Sequence, residues 1–459
     1  MANVADSLTP LERRTTSALA AVFAMRMLGL FVVLPVLAVY GMNLAGSTPL
    51  LIGLAIGAYG LVQGILQIPY GILSDRFGRK PLIFIGLLLF ALGGLVAAMS
   101  DTIWGVIIGR ALQGAGAVSG VVMALLSDLT RESHQTRAMA IIGATVGLSF
   151  GLAMVLGPLL VDSTGLSGLF LFTSAMAVAS LLLVLFYVPT PVAAVAPSRR
   201  RLVPQVLRVL RHQGLFRLDL GIFLLHMVMV AVFVVIPPSL ELYERLPASR
   251  HWYIYLPVIL ASLVLMVPLM VWAERTGRTR SALLGAAAAL VLSLVMLAML
   301  HRSMWGVVAS LLLYFTAFNL LEALMPSMVS RMSPAGARGA AMGVYSSGQF
   351  FGAFFGGLLG GGLSSMFSPA VVLLTCAALF AAWAVLAAGL NMKSRRRNLV
   401  LELPANVAPQ AAALALLGVQ GVLEATVVRE DGVVHVTVDV ARCDESLLHA
   451  RLRALPSEA

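Results

Sequence analysis

The sequence predicts an all-α integral membrane protein of twelve transmembrane helices in two halves of six, followed by a small α+β domain. Three observations carry that expectation. Of 459 residues, 60% are hydrophobic and 11% charged, with a mean hydropathy of +0.96. A soluble globular chain is about half apolar and about a quarter charged, so a water-soluble enzyme and a disordered chain are both excluded. Twelve apolar runs reach spanning length, and the basic residues fall in alternate connections between them.

The runs lie at 17–42, 50–74, 81–99, 103–127, 138–160, 166–188, 218–238, 252–272, 281–300, 304–330, 339–362 and 369–390. A helix needs ~20 apolar residues to cross ~30 Å of hydrocarbon. Only helices or closed barrels satisfy the backbone in lipid, and none of these runs alternates as a barrel strand does. The first run is too long for a signal-peptide core and eleven more follow, so it reads as a retained helix. One set of connections, including Arg13, Arg76, Arg131, Arg199, Arg275, Arg331 and Arg395, holds 22 Lys/Arg; the opposite set holds only Arg245, Arg250 and Arg302. With an even span count, that bias places both termini in the cytoplasm. The expected location is a bacterial inner (plasma) membrane.

The longest break follows the sixth run and holds Pro189, Pro191, Pro197 and Arg199–Arg201. It divides the chain into a first bundle at 1–190, a linker at 191–217, a second bundle at 218–397 and a soluble domain at 398–459. The halves repeat. Asp75-Arg76-Phe77-Gly78-Arg79 returns as Glu274-Arg275-Thr276-Gly277-Arg278, and Arg131, Ser133 and Gly143 return as Arg331, Ser333 and Gly343. Duplicated six-helix halves point to a transporter with its binding cavity between them.

Charge is divided as well. Residues 1–397 carry 27 Lys/Arg against 12 Asp/Glu, whereas 398–459 carry 4 against 8. The basic residues sit in short breaks between apolar runs, so the high pI is no sign of nucleic acid. Cys376 and Cys443 alone make neither a disulfide scaffold nor a paired-cysteine metal site. No Walker A sequence is present. No cofactor or metal is expected.

Gly71-Ile72-Leu73-Ser74-Asp75-Arg76-Phe77-Gly78-Arg79-Lys80, between the second and third runs, resembles motif A of the major facilitator superfamily. Gly109-Arg110-Ala111-Leu112-Gln113-Gly114 resembles its motif B. Gly147, Gly151 and Gly157-Pro158 resemble motif C of drug:proton antiporters, although Leu159-Leu160 replace its trailing glycines. The resemblance covers residues 10–395. Within the superfamily the chain looks closest to YajR-type transporters, which add a small cytoplasmic domain. It implies a conformational lock built from Gly71, Asp75, Arg76, Gly78, Arg79, Lys80 and Asp128. A guanidinium between two carboxylates makes charge-assisted hydrogen bonds. Asp75 is also placed to face the start of the eleventh helix near Gly339–Met342, where free N–H groups favour an anion.

Ionisable residues inside spans are costly and are functional candidates by default. Arg26 lies nine residues past Ser17, ~14 Å deep at 1.5 Å per residue. Arg110 and Glu322 are also well inside their runs. These three are the candidates for proton coupling, Arg110 by its resemblance to motif B; the alternative for each is a buried structural pair. Gln63, Gln67, Gln113, His226, Asn319, Tyr345 and Gln349 are candidate cavity residues, each equally suited to an ordinary interhelical hydrogen bond. Gly147, Gly151, Gly157 and Pro158 in the fifth run, with Gly352 and Gly356 in the eleventh, are expected to form a rocking interface between close-packed helices.

After Arg397 the pattern becomes strand 399–403, helix 409–417, strands 422–428 and 433–440 joined by a turn at 429–432, and helix 444–454. This order resembles a ferredoxin-like module lacking its last strand. It is expected to dock on the membrane part or to dimerise. The functional expectation is a proton-coupled secondary transporter, a small-molecule exporter. The alternative is a membrane sensor of the same fold signalling through its tail. An enzyme is not expected, because no nucleophile or paired-carboxylate constellation is present.

Overall fold

The structure is a computed structural model describing residues 9–189, 202–333, 338–390, 396–403, 407–428, 433–439 and 443–453. It divides into two compact units, Met1–Ala388 and Gly389–Ala459. The first is helical: α1 Pro10–Phe31, α2 Leu34–Tyr40, α3 Pro49–Phe77, α4 Arg79–Ala98, α5 Ile103–Ala115, α6 Ser119–Asp128, α7 Glu132–Tyr187, α8 Leu202–Leu210, α9 Gln213–Glu244, α10 Trp252–Thr276, α11 Thr279–Leu300, α12 Met304–Met332, α13 Arg338–Ser364 and α14 Pro369–Ala388. Among the described residues, ten stretches are long and apolar enough to cross a bilayer. They count α7 once, and the glycine-rich α13 is not among them.

Several breaks refine the expected runs. The first run is split at Val32–Val33, because Pro35 cannot donate to the residue four back and its ring crowds that carbonyl. The fourth is split at Gly116–Val118, freeing the Gly116 carbonyl from the helix ladder. The fifth and sixth runs form one 56-residue helix broken at Gly165, whose φ of 70° is open to glycine and strained for other residues. Part of the 191–217 linker is itself folded: α8 occupies it and α9 begins at Gln213, while 190–201 lie outside the described residues.

The second unit holds β1 Arg396–Glu402, α15 Pro409–Leu417, β2 Val422–Val428, β3 Val433–Asp439 and α16 Glu445–Arg453. The sheet order is β1-β3-β2, with the central strand antiparallel to both neighbours. Period-two alternation puts Val434, Val436 and Val438 into one core with Leu401, Ala412, Leu416, Leu448 and Leu452. The first strand starts at Arg396 rather than 399, so this unit begins before the expected boundary at 398. The expected turn at 429–432 lies outside the described residues.

Candidate functional site

The turn between α3 and α4 is built as its residues require. Gly78 ends α3 with a φ of 94°, a conformation that favours glycine. The reversal aims Arg79 back at the end of α3, where its guanidinium pairs with Asp75, bonds Ser74 Oγ at 2.7 Å and meets Asp128 at 3.1 Å. Lys80 donates to the Val188 carbonyl at 2.6 Å, tying α4 to the end of α7. Arg76 is exposed, with its guanidinium over the Phe77 ring. In the repeat, Gly277 again ends a helix with positive φ, yet no ion pair forms at Glu274, Arg275 or Arg278 among the described residues.

A second polar cluster lies inside the first half. Arg26, 2% exposed, donates to Ser119 Oγ, to Tyr59 Oη at 2.7 Å, to Gln63 Oε1 at 2.5 Å and to the Gly116 carbonyl at 3.1 Å. The break between α5 and α6 supplies that carbonyl. Gln63 also reaches Ser119 and Gln67. Arg110 lies over the Tyr59 ring at 5.0 Å and donates to Gln113, which donates to Thr173 at 3.0 Å. Among the described residues neither arginine has a carboxylate partner. Removing a charge from water costs several kcal/mol; neutral oxygens and a ring face offset part of it, while Arg26 Nε and Arg110 Nε and Nη2 are buried without a partner among the described residues. Gln63 and Gln113 are fully buried, so in this state they are internal bonds of the half rather than cavity lining.

The second half holds two buried acids, Glu322 and Asp219. Gln349 donates to Glu322 Oε1 at 2.7 Å and its amide lies 3.2 Å from His226 Nε2. Asn319 instead bonds Ser262, joining α12 to α10. Glu322 Oε2, Tyr345 Oη and both carboxylate oxygens of Asp219 are buried without a hydrogen-bond partner among the described residues. Asp219 is a residue that sequence reasoning passed over, because it falls at the edge of an apolar run and reads as a boundary. Also missed was Glu12, which caps α1 with Thr9 and pairs with Arg131 at 2.9 Å. The Thr9-x-x-Glu12 spacing was the available signal.

The two halves meet along α3 and α13. A Cβ on Gly57 would come within 2.8 Å of the Phe354 carbonyl, and Gly53, Gly60, Gly357 and Gly361 are pressed on opposing backbone as tightly. Gly64 faces the Phe351 ring. These contacts descend along α13 as they ascend α3, so the helices are antiparallel. Gly71 continues the α3 stripe by seven residues, and Gly343 continues the α13 stripe by seven in the other direction. Among the described residues, a Cβ at Gly71, Gly339 or Gly343 would meet nothing within 4 Å. The halves are therefore backbone-tight at one face and separated at the face carrying Asp75.

One expectation is corrected by this geometry, and one contact is not made in this state. Asp75 has no hydrogen bond or ion pair to the start of α13 among the described residues; its partner is Arg79. The rocking glycines are reassigned. Gly147 and Gly151 face open space, and Gly157 lets α7, where Pro158 continues the helix, approach the Val32 carbonyl of the same half. Gly352 and Gly356 pack on Phe223 and Met227 of α9. At the α3–α13 seam the contact uses the other side of α13 and the unanticipated glycines of α3, while α7 meets the second half through the Phe150 ring, which lies against those of Phe233 and Phe315. Spacing gives a stripe but not its partner.

The chain matches the Major Facilitator Superfamily model over residues 19–321 and 251–416. It is 43% identical to the inner membrane transport protein YajR of Escherichia coli K12 over 94% of this chain and 95% of that one. It is 28% identical to the multidrug resistance protein MdtH of Yersinia pestis over 69% of this chain and 78% of that one. The nucleoside transporter NupG shares its fold, with a TM-score of 0.67 at 15% identity, covering 83% of this chain and 99% of that one. With a spanning helical unit, paired halves and these relatives, this multi-pass membrane chain belongs to the Major Facilitator Superfamily of transporters.

Proposed function

We propose that the chain is a twelve-span, proton-coupled secondary transporter that exports small molecules by alternating access. One observation carries the reading: the glycine stripes of α3 and α13 are packed at one end and empty at the other. Such a seam has an evident second state, in which the empty ends close and the packed ends part. The Lys/Arg bias makes the open face cytoplasmic, with both termini on that side. In the second state Asp75 would cap α13, with Gly71 at the contact and Arg76, Gly78, Arg79, Lys80 and Asp128 holding the turn.

Glu322 is the proposed proton carrier, since a carboxylate alternately exposed to two baths changes solvation and hence proton affinity. Arg26 and Arg110 hold fixed positive charge in the opposite half. His226, Gln349, Tyr345 and Asn319, with Gln67, are the proposed cavity residues. The E. coli relative supports an inner-membrane location by its name, and the Yersinia relative supports export. The second unit reads as a ferredoxin-like regulatory module, in keeping with its strand order. Solute-panel uptake into energised inside-out vesicles, with and without an uncoupler, tests the function. Uncoupler-sensitive uptake of at least one solute is expected; uptake indifferent to the uncoupler removes proton coupling.

A further inference from the structure

The start of α9 runs parallel to the start of α13, since Asp219, Phe223 and Met227 meet Gly348, Gly352 and Gly356 in order. The α8 helix, which directly precedes α9, therefore sits at the Asp75 face. Two adjoining grooves open there. Their lining includes Arg208, Arg211, Arg217 and His212, with Leu210, Phe216 and Leu386 among the apolar walls, and no carboxylate among the described residues. Val209 anchors α8 in the interior, while Leu207, Leu210, Phe216 and Leu386 stay about half exposed. The guanidinium groups of Arg208 and Arg211 are exposed and make no ion pair among the described residues.

We propose that this groove is a binding site for an anionic glycerophospholipid of the adjoining leaflet. Its phosphate would sit between Arg208 and Arg211, and its acyl chains would cover Leu210, Phe216 and Leu386. Apolar walls beside paired guanidinium groups match one ligand with a charged head and a hydrocarbon body. A soluble phosphate would leave the apolar walls wet. A zwitterionic lipid would bring its own cation next to two arginines. Basic juxtamembrane residues favour anionic lipid by roughly fivefold each. Topology signalling alone explains the charge but not the groove.

The test uses the purified full-length chain in detergent and native mass spectrometry. Phosphatidylglycerol and phosphatidylcholine with identical acyl chains are offered together. Phosphatidylglycerol should be retained preferentially, and Arg208→Gln with Arg211→Gln should cut that preference by roughly twentyfold. Arg275→Gln with Arg278→Gln removes equal charge from exposed positions outside the groove and should leave the preference unchanged. Inorganic phosphate added at millimolar concentration should not displace the lipid beyond what equal ionic strength does. The proposal is overturned by equal retention of both lipids, by equal losses in the two variants, or by specific displacement by phosphate.

Discussion

Gly57→Ala perturbs the seam between the halves directly. The new Cβ would sit 2.8 Å from the Phe354 carbonyl oxygen and 2.9 Å from its Cα. Both are backbone atoms, so neither can swing aside as a side chain would. Reaching an ordinary contact of about 3.4 Å requires α3 and α13 to part by at least ~0.6 Å at a close-packed point. Overpacking of this kind costs ~1–3 kcal/mol. Alanine also improves helix propensity by up to ~1 kcal/mol, but that gain is equal in both states and cancels from their ratio. The population with this face closed should therefore fall by roughly 5- to 150-fold relative to the state in which it opens. Spin labels at exposed Leu50 and Met366, in a background lacking Cys376 and Cys443, report the distance. A longer-distance population should grow. Gly71→Ala is the control: its Cβ meets nothing among the described residues in this state, so it should not open that face. An unchanged Leu50–Met366 distribution in Gly57→Ala refutes the reasoning.

Asp75→Asn should favour the state seen in this structure, because it removes the charge proposed to cap α13 in the other. A contact of that kind is worth up to ~2 kcal/mol, so labels at Phe77 and Gly339 should shift toward separation by up to ~30-fold in population. Glu322→Gln should abolish solute movement driven by a pH gradient while leaving equilibrium solute binding measurable; gradient-driven transport at the normal rate would move the proton carrier elsewhere, with Asp219 next. Glu12→Gln should lower the melting temperature of the purified chain, since it loosens the tie that Arg131 makes between α1 and α7; an unchanged melting curve would show that tie to be without weight. A chain ending at residue 390 should still insert and transport, because Met1–Ala388 forms a compact unit of its own; complete loss of transport would contradict that.

Much of this molecule is legible in its sequence because lipid leaves few choices. Apolar run length gives the helices, and Arg placement gives the turns. The Asp75–Arg79–Asp128 arrangement follows from a reversal that only Gly78 accommodates easily. Partners were harder to read. Nothing local in Arg26 tells that a break at Gly116 will present a carbonyl to it, or that Tyr59 will be shared between two arginines. Gly352 and Gly357 look alike in the sequence, yet one packs within its half and the other across the seam, because helix rotation depends on every neighbour at once. Asp219 escaped because an acid near a span boundary resembles a terminus until its buried, unpartnered oxygens are seen.

The central claim is that one seam closes at one face when it opens at the other. Two label pairs, Leu50 with Met366 and Phe77 with Gly339, measured in lipid nanodiscs across a series of pH values and solutes, test it directly. The account predicts opposed changes: whenever the Leu50–Met366 population lengthens, the Phe77–Gly339 population shortens. Distances that stay fixed under every condition, or that lengthen together, would contradict it.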